Sequence, residues 1–271
     1  MNILEKNMVL ILQDLKENHH VVGVKAEFEA EGTRLEEAMR LKEVVSKAGL
    51  DLTIKIGGCE AIKDMYEARV IGVNKIVAPM VETAYALKKY LAATKLVFSE
   101  EEREEVSFFV NIETITGYNN LDSMFALPEA EDLDGVVLGR VDMTGSMGLP
   151  RDAINSDQIF EIAKNIGIKT KERGIDLLIG GGVSAESLPF FRKLPEGVLT
   201  RYETRKVIFQ CPGALEENAD KAILKAVGFE LMWLKNKRDF YGAIHKEDEQ
   251  RLIMLETRYK KLISQAGVVV E

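Results

Sequence analysis

The chain has 271 residues, 46% hydrophobic and 30% charged, a globular balance that excludes a disordered or collagen-like polypeptide. Its 36 basic and 44 acidic side chains leave a formal charge of −8, and without a long basic run no binding to nucleic acid or to an anionic membrane is expected. No apolar run reaches the roughly 20 residues of a membrane helix.

Residues 1–20 lack the basic start and small-residue cleavage site of a secretory signal. Two cysteines, Cys59 and Cys211, cannot build a disulfide framework, so reduced thiols and a cytoplasmic location are expected. Three histidines are too few for a His-rich zinc site.

After an amphipathic segment (3–18), β-rich runs alternate with helical patterns. The runs are 21–29, 52–58, 75–81, 107–114, 135–140, 175–181 and 197–209, and between them apolar residues recur at three- and four-residue spacing. Thr33 followed by Glu36 has the pattern of a capping box, and Ser156 can cap the helix after it. Near-continuous apolar strands separated by helices predict a parallel sheet covered on both faces. Seven strands are legible. An open doubly wound sheet and a closed (β/α)8 barrel both fit the pattern, with an eighth strand that is irregular or replaced by the N-terminal segment. Residues 214–271 read as two or three helices, with Leu252, Leu255, Tyr259 and Leu262 on one face, packing on the barrel or on a neighbouring subunit. No linker separates them, so residues 1–271 are read as one domain with a helical C-terminal extension.

In such folds the carboxyl ends of the strands face the active site. The first run ends in Lys25, Glu27 and Glu29, which share one face of an alternating strand. The second ends in Lys55, followed by Gly57 and Gly58, which let a ligand approach the backbone. Glu113 and Asp142 close consecutive runs, and two carboxylates from neighbouring strands can hold a hard divalent cation. A structural pair, bonded to loop amides or to Arg140, is the alternative. Thr144 lies in the same loop. In the last run Arg201, Glu203 and Arg205 share one face if the run is a single strand, so two guanidiniums could grip a phosphate or carboxylate; an internal Arg–Glu–Arg ion network is the competing reading. The Gly180–Gly182 turn can bind phosphate through its amides or serve only as a tight turn.

The ordered segments VAPMVET (77–83), VNIET (110–114) and DGVVLGRVDMTGSMG (134–148) resemble the HpcH/HpaI aldolase and citrate lyase β-subunit family. The resemblance covers roughly residues 20–185. It implies a (β/α)8 TIM barrel with an extra C-terminal helical segment. It also implies a class II, divalent-metal aldolase or citrate-lyase-like carbon–carbon lyase acting through a metal-bound enolate of pyruvate or a similar 2-oxo acid. Glu113 and Asp142 fall on the family's metal ligands, with Mg2+ or Mn2+ as the expected ion. A trimer or hexamer is implied, with C-terminal helices passed between subunits.

The sequence also departs from the family. Lys55 stands where an Arg is usual, Arg140 replaces a Pro or Glu in the metal loop, and the His of the aldolase branch is missing after the first strand.

The resulting assignment places Glu27 (as base), Lys55 and Arg140 in catalysis. Lys25, Gly57, Gly58, Thr144, Arg201 and Arg205 are assigned to the substrate, and Glu113 and Asp142 to the metal. The substrate is expected to be a small anion, a 2-oxo acid that can be phosphorylated or a sugar acid. As base, Glu27 or Glu29 is expected to have a raised pKa, or Lys25 or Lys55 a lowered one. A metal-free phosphosugar isomerase or epimerase and a non-catalytic binding or assembly subunit are the competing functions.

Overall fold

The computed structural model describes residues 1–266. Eight strands close into one barrel in sequence order: β1 (Val21–Glu27), β2 (Asp51–Lys55), β3 (Lys75–Ala78), β4 (Ser107–Ile112), β5 (Gly135–Gly139), β6 (Asp176–Gly180), β7 (Arg201–Glu203) and β8 (Val207–Gln210). The first seven run parallel, as the apolar runs predict. The chain is a TIM-type barrel with an added C-terminal helix.

The eighth strand lies inside what reads in the sequence as the seventh. The run 197–209 folds back at Thr204, whose N–H donates to the Val207 carbonyl at 2.9 Å while its Oγ1 accepts from the Val207 N–H at 3.1 Å. β8 is therefore antiparallel to both β7 and β1. Arg205 sits in the turn, so Arg201, Glu203 and Arg205 are not successive inward positions of one strand.

Alternation along the strands builds the interior in layers. Val77, Phe109, Val137, Leu178 and Ile208 form a closed apolar layer low in the barrel. Towards the carboxyl ends of the strands the inward positions turn polar: Lys25, Lys55, Asn111 and Glu203, all buried. β5 and β6 have glycines at this level. A Cβ on Gly139 would lie 2.6 Å from Glu113 Oε2, and one on Gly180 would lie 2.9 Å from Glu203 Oε1. These glycines leave the inner space to two carboxylates.

The N-terminal segment is a helix, α1 (Ile3–His19), capped by Asn2 and burying Met8, Leu12 and Leu15 against the outside of the barrel. α2 (Leu35–Lys47) starts one residue later than the expected box: Glu37, not Glu36, reaches back to accept from the Arg34 N–H at 3.2 Å. Ser156 caps its helix as expected.

The C-terminal segment is a single helix, Ala219–Ala266, rather than two or three. At 1.5 Å per residue its 48 residues span about 72 Å. β8 ends at the lower rim, so this helix climbs antiparallel to α1, with Lys225 against Asp14 and Asn236 against Asn2. Tyr241 Oη (2.6 Å) and Lys237 Nζ (2.8 Å) fasten it to Glu37 at the start of α2. Above that point it leaves the barrel. Leu252, Leu255, Tyr259 and Leu262 are all more than half exposed, so they do not pack on this barrel. Residues 267–271 of the expected extension lie outside the described residues.

Candidate active site

A cavity of about 800 Å³ opens at the carboxyl ends of the strands. Lys25, Glu27 and Glu29 come from β1 and its exit, Lys55 from β2, Asn111 and Glu113 from β4 and its exit, Gly139 from β5, Val141 and Asp142 from the first turn of the short helix Arg140–Ser146 that follows it, and Gly180–Val183 from β6 and its turn. β8 pairs with β1 only over Val21–Val24, so the wall is low at the hairpin. Val227, Glu230, Leu234 and Lys237, one stripe of the C-terminal helix, complete the lining there with Trp233.

Glu113 is 2% exposed. Its carboxylate accepts from Asn111 Nδ2 (2.6 Å) and the Met80 N–H (3.1 Å) and lies 3.6 Å from Lys55 Nζ. Burial raises its pKa, an effect that Asp142's charge reinforces and that Lys55, Asn111 and the Met80 amide oppose without cancelling. Asp142 is exposed to the cavity and has no hydrogen-bond or ion-pair partner among the described residues. The Asn111 Oδ1 atom is buried without a partner.

These observations fit a hard divalent cation. The nearby donors are all oxygens, one carboxylate is buried with incomplete compensation, the other is unpaired, and their strands are hydrogen-bonded neighbours. Among the described residues no group of three or more His, Cys, Asp and Glu side chains is arranged as a metal cage, so such an ion would take its remaining ligands from water or substrate.

The basic groups of β1 and β2 are strongly paired. Lys25 contacts Glu203 closely and Glu27 at 3.0 Å, while Lys55 contacts Glu29 at 3.1 Å. Burial alone would lower both amines, but these carboxylates outweigh it and raise both pKa values. Neither lysine is the neutral base the sequence allowed. Glu27 is shifted opposite to the expectation as well: burial raises it, yet Lys25, Arg205 and Lys55 bring it below the usual carboxylate value. Arg205 reaches the same cluster from the turn, 3.5 Å from Glu27 and 3.1 Å from Glu31.

Other expected site residues lie elsewhere. Arg140 is 0% exposed and does not line the cavity. Its guanidinium donates to the Gly180 carbonyl (3.1 Å), the Gly181 carbonyl (3.1 Å), Ser187 Oγ (3.1 Å), Asn155 Oδ1 (2.6 Å) and the Ile154 carbonyl (3.5 Å), packed against Phe190 and Phe191. Burial alone lowers its pKa to about 10. It ties the helix after β5 to the turn after β6. Arg201 pairs with Asp176 and Gln210 at the lower end of β6 and β7, far from the mouth. Thr144 is buried with its hydroxyl on the Val141 carbonyl, the Gly57 N–H is held by Asp64 at 2.7 Å, and neither these two nor Gly58 lines the cavity.

The cavity also contains residues that the sequence did not single out for it. Glu31 closes a bridge to Lys206 and Arg205, and Arg151 lines the cavity from a short 3-10 turn. Their signal in the sequence was faint, since all lie in loops or turns outside any strand pattern.

A barrel with inward carboxylates and lysines at the carboxyl ends of its strands is the plan of a TIM-barrel enzyme. Residues 34–186 match the model of the HpcH/HpaI aldolase/citrate lyase family, more than half of the chain. The protein belongs to that family.

A 2-keto-3-deoxy-L-rhamnonate aldolase of Klebsiella pneumoniae is 27% identical over an alignment of 109 residues that covers 32% of this chain and 40% of that enzyme, so the match spans under half of the relative's length. An HpcH/HpaI aldolase from Desulfitobacterium hafniense DCB-2 shares the fold with a TM-score of 0.57 at 14% identity, covering 71% of this chain and 80% of the other. The citrate synthase SbnG gives a TM-score of 0.58 at 16% identity, covering 86% and 90%. No helix among the described residues is long and apolar enough to cross a membrane.

Proposed function

We propose that the protein is a class II aldolase or carbon–carbon lyase that forms and consumes the enolate of pyruvate or a similar small 2-oxo acid. The observation that carries this reading is the convergence of Glu113 and Asp142, from adjacent strands, beside the ammonium of Lys55 in one cavity. Mg2+ or Mn2+ held by the two carboxylates would supply Lewis-acid stabilisation of charge developing on the 2-oxo oxygen.

The chain's own groups do the rest. Lys55, kept protonated by Glu29 and Glu113, donates hydrogen bonds to the substrate's carboxylate and holds it beside the metal pair. Glu27, kept ionised by Lys25 and Arg205, accepts the proton from the carbon next to the carbonyl and returns it in the reverse direction. Lys25 positions Glu27 and Glu203 from below. Trp233 and Leu234 of the C-terminal helix shield that side of the cavity from water.

The relative's action on a keto-deoxy sugar acid supports a 2-oxo acid substrate. We place the enzyme in the cytoplasm, consistent with its two free cysteines, and read it as a trimer or hexamer assembled through the exposed upper part of its C-terminal helix.

Exchange of pyruvate's methyl protons, followed by NMR with and without Mg2+ or Mn2+, tests the reaction. Metal-dependent exchange that is lost in Asp142→Asn supports it; exchange indifferent to both metal and substitution rejects it.

A further inference from the structure

Seven carboxylates and six cations line the cavity. Five of the cations are ion-paired: Lys25, Lys55, Arg205, Lys206 and Lys237. Arg151 has no hydrogen-bond or ion-pair partner among the described residues, and it lines the cavity beside the turn after β6.

That turn has unspent donors of its own. The carbonyls of Gly180 and Gly181 both point to the buried Arg140 guanidinium. A trans peptide sets its N–H opposite its C=O, so the N–H groups of Gly181 and Gly182 point away from Arg140. Gly181, Gly182 and Val183 all line the cavity, and among the described residues their three N–H groups have no acceptor. Gly181 and Gly182 hold φ values of +78° and +66°, and a Cβ on Gly181 would lie 2.6 Å from the Arg140 amide nitrogen. Consecutive free amides in this conformation form an anion-binding concavity.

Arg140 adds a second reason. No carboxylate neutralises it among the described residues, so a buried positive charge stands directly behind the turn. The same guanidinium also fastens Ile154 and Asn155, and with them the 3-10 turn Arg151–Asn155 that presents Arg151. One buried side chain thus sets both halves of a positive subsite.

We propose that the Gly181–Val183 amides and Arg151 form an oxyanion subsite that binds a carboxylate or phosphate on the second substrate, the acceptor aldehyde. Its role in the reaction rests on the aldolase reading above. The subsite lies beyond the metal pair, on the side away from Lys55, and so suits an anion at the far end of the acceptor. Arg151 supplies the fork and the charge, and the amides fix orientation. It makes the enzyme selective for charged acceptors over neutral ones.

Inorganic phosphate is the first probe, titrated into metal-free protein while following the fluorescence of Trp233, the single tryptophan, which lines the same cavity. Saturable binding is expected, with Kd raised about tenfold or more in Arg151→Gln, as one charge-assisted contact implies, and partly recovered in Arg151→Lys. Pyruvate addition to succinic semialdehyde, glyceraldehyde 3-phosphate and glyceraldehyde then separates carboxylate from phosphate. The preference for the favoured charged acceptor over glyceraldehyde falls about tenfold in Arg151→Gln. No saturable phosphate binding by the unmodified protein, or binding unchanged within about twofold in Arg151→Gln, overturns the subsite. Unmodified protein that binds phosphate but does not exchange pyruvate's protons keeps the subsite and rejects the aldolase reaction.

Discussion

Replacing Arg140 by methionine tests whether this arginine is a structural tie. The substitution removes five hydrogen bonds, of which those to the Gly180 carbonyl and Ser187 Oγ lie wholly in the interior, where water cannot take over. The buried Gly180 carbonyl left unpaired costs about 1–3 kcal/mol, and Ser187 Oγ, which keeps only the Ser184 N–H at 3.3 Å, loses about 1 kcal/mol more, roughly 2–4 kcal/mol together. Stacking on Phe190 and Phe191, at 5.1 and 5.0 Å, adds about 1 kcal/mol or more. Against this, the variant no longer buries a guanidinium whose pKa burial alone depresses, which returns part of the loss. A net destabilisation of about 2–4 kcal/mol remains, equivalent to a fall in Tm of roughly 5–15 °C for a chain of this size. Thermal and urea unfolding followed by circular dichroism measure it directly. Arg140→Lys keeps a charge but cannot span Gly180, Gly181 and Asn155 together, and recovers less than half of the loss. An Arg140→Met protein that melts within about 2 °C of the parent yet has lost activity would refute this account and return Arg140 to the reaction.

Other expectations follow from the same geometry. Glu113→Gln and Asp142→Asn each weaken Mn2+ binding, read by calorimetry, by more than about 100-fold, since even outer-shell partners contribute ~10–100-fold; an unchanged Mn2+ affinity in both would move the metal elsewhere. Lys75 sits over the Phe109 ring at 4.1 Å, and burial brings its pKa to about 8 from an ordinary 10.5. Between about pH 8 and 10.5 the unfolded chain binds more protons at this position than the folded one, so stability rises with pH across that window. Lys75→Met is therefore stabilising at pH 7, on the order of 1 kcal/mol, and its advantage shrinks towards pH 10; urea midpoints at both pH values decide it. Among the described residues, ending the chain after Gly242 removes helix that is exposed apart from the half-buried Ile263, so barrel melting in dilute protein stays within about 2 °C while any assembly through Leu252, Leu255 and Leu262 is lost in sedimentation velocity.

The first seven strands were legible because each parallel strand is buried on both faces and reads as an apolar run bounded by helical periodicity. The β7–β8 hairpin was not, because its turn, Thr204–Arg205–Lys206, contains no glycine, proline or asparagine to mark it and is closed by a threonine side chain instead. Glu27, Lys55, Glu113 and Asp142 were found at strand ends by position, and all four line the cavity. Arg140 stands one residue after β5, where an inward charge is reasonable. Its burial depends on Gly180, Gly181 and Ser187, 40 to 47 positions away, which no local pattern reveals. The pKa directions of Lys25 and Glu27 depend in the same way on Glu203 and Arg205, brought across the barrel only by closure.

The reversed final strand has an architectural consequence. Had β8 pointed the same way as its neighbours, the polypeptide would have emerged at the rim where substrate enters. Instead it emerges at the floor, and a continuous rod must travel the full height of the molecule before it can reach that rim. Its first half becomes part of the vessel, and its second half is held aloft like a mast. Sequence changes in the mast can therefore accumulate without touching the chemistry below.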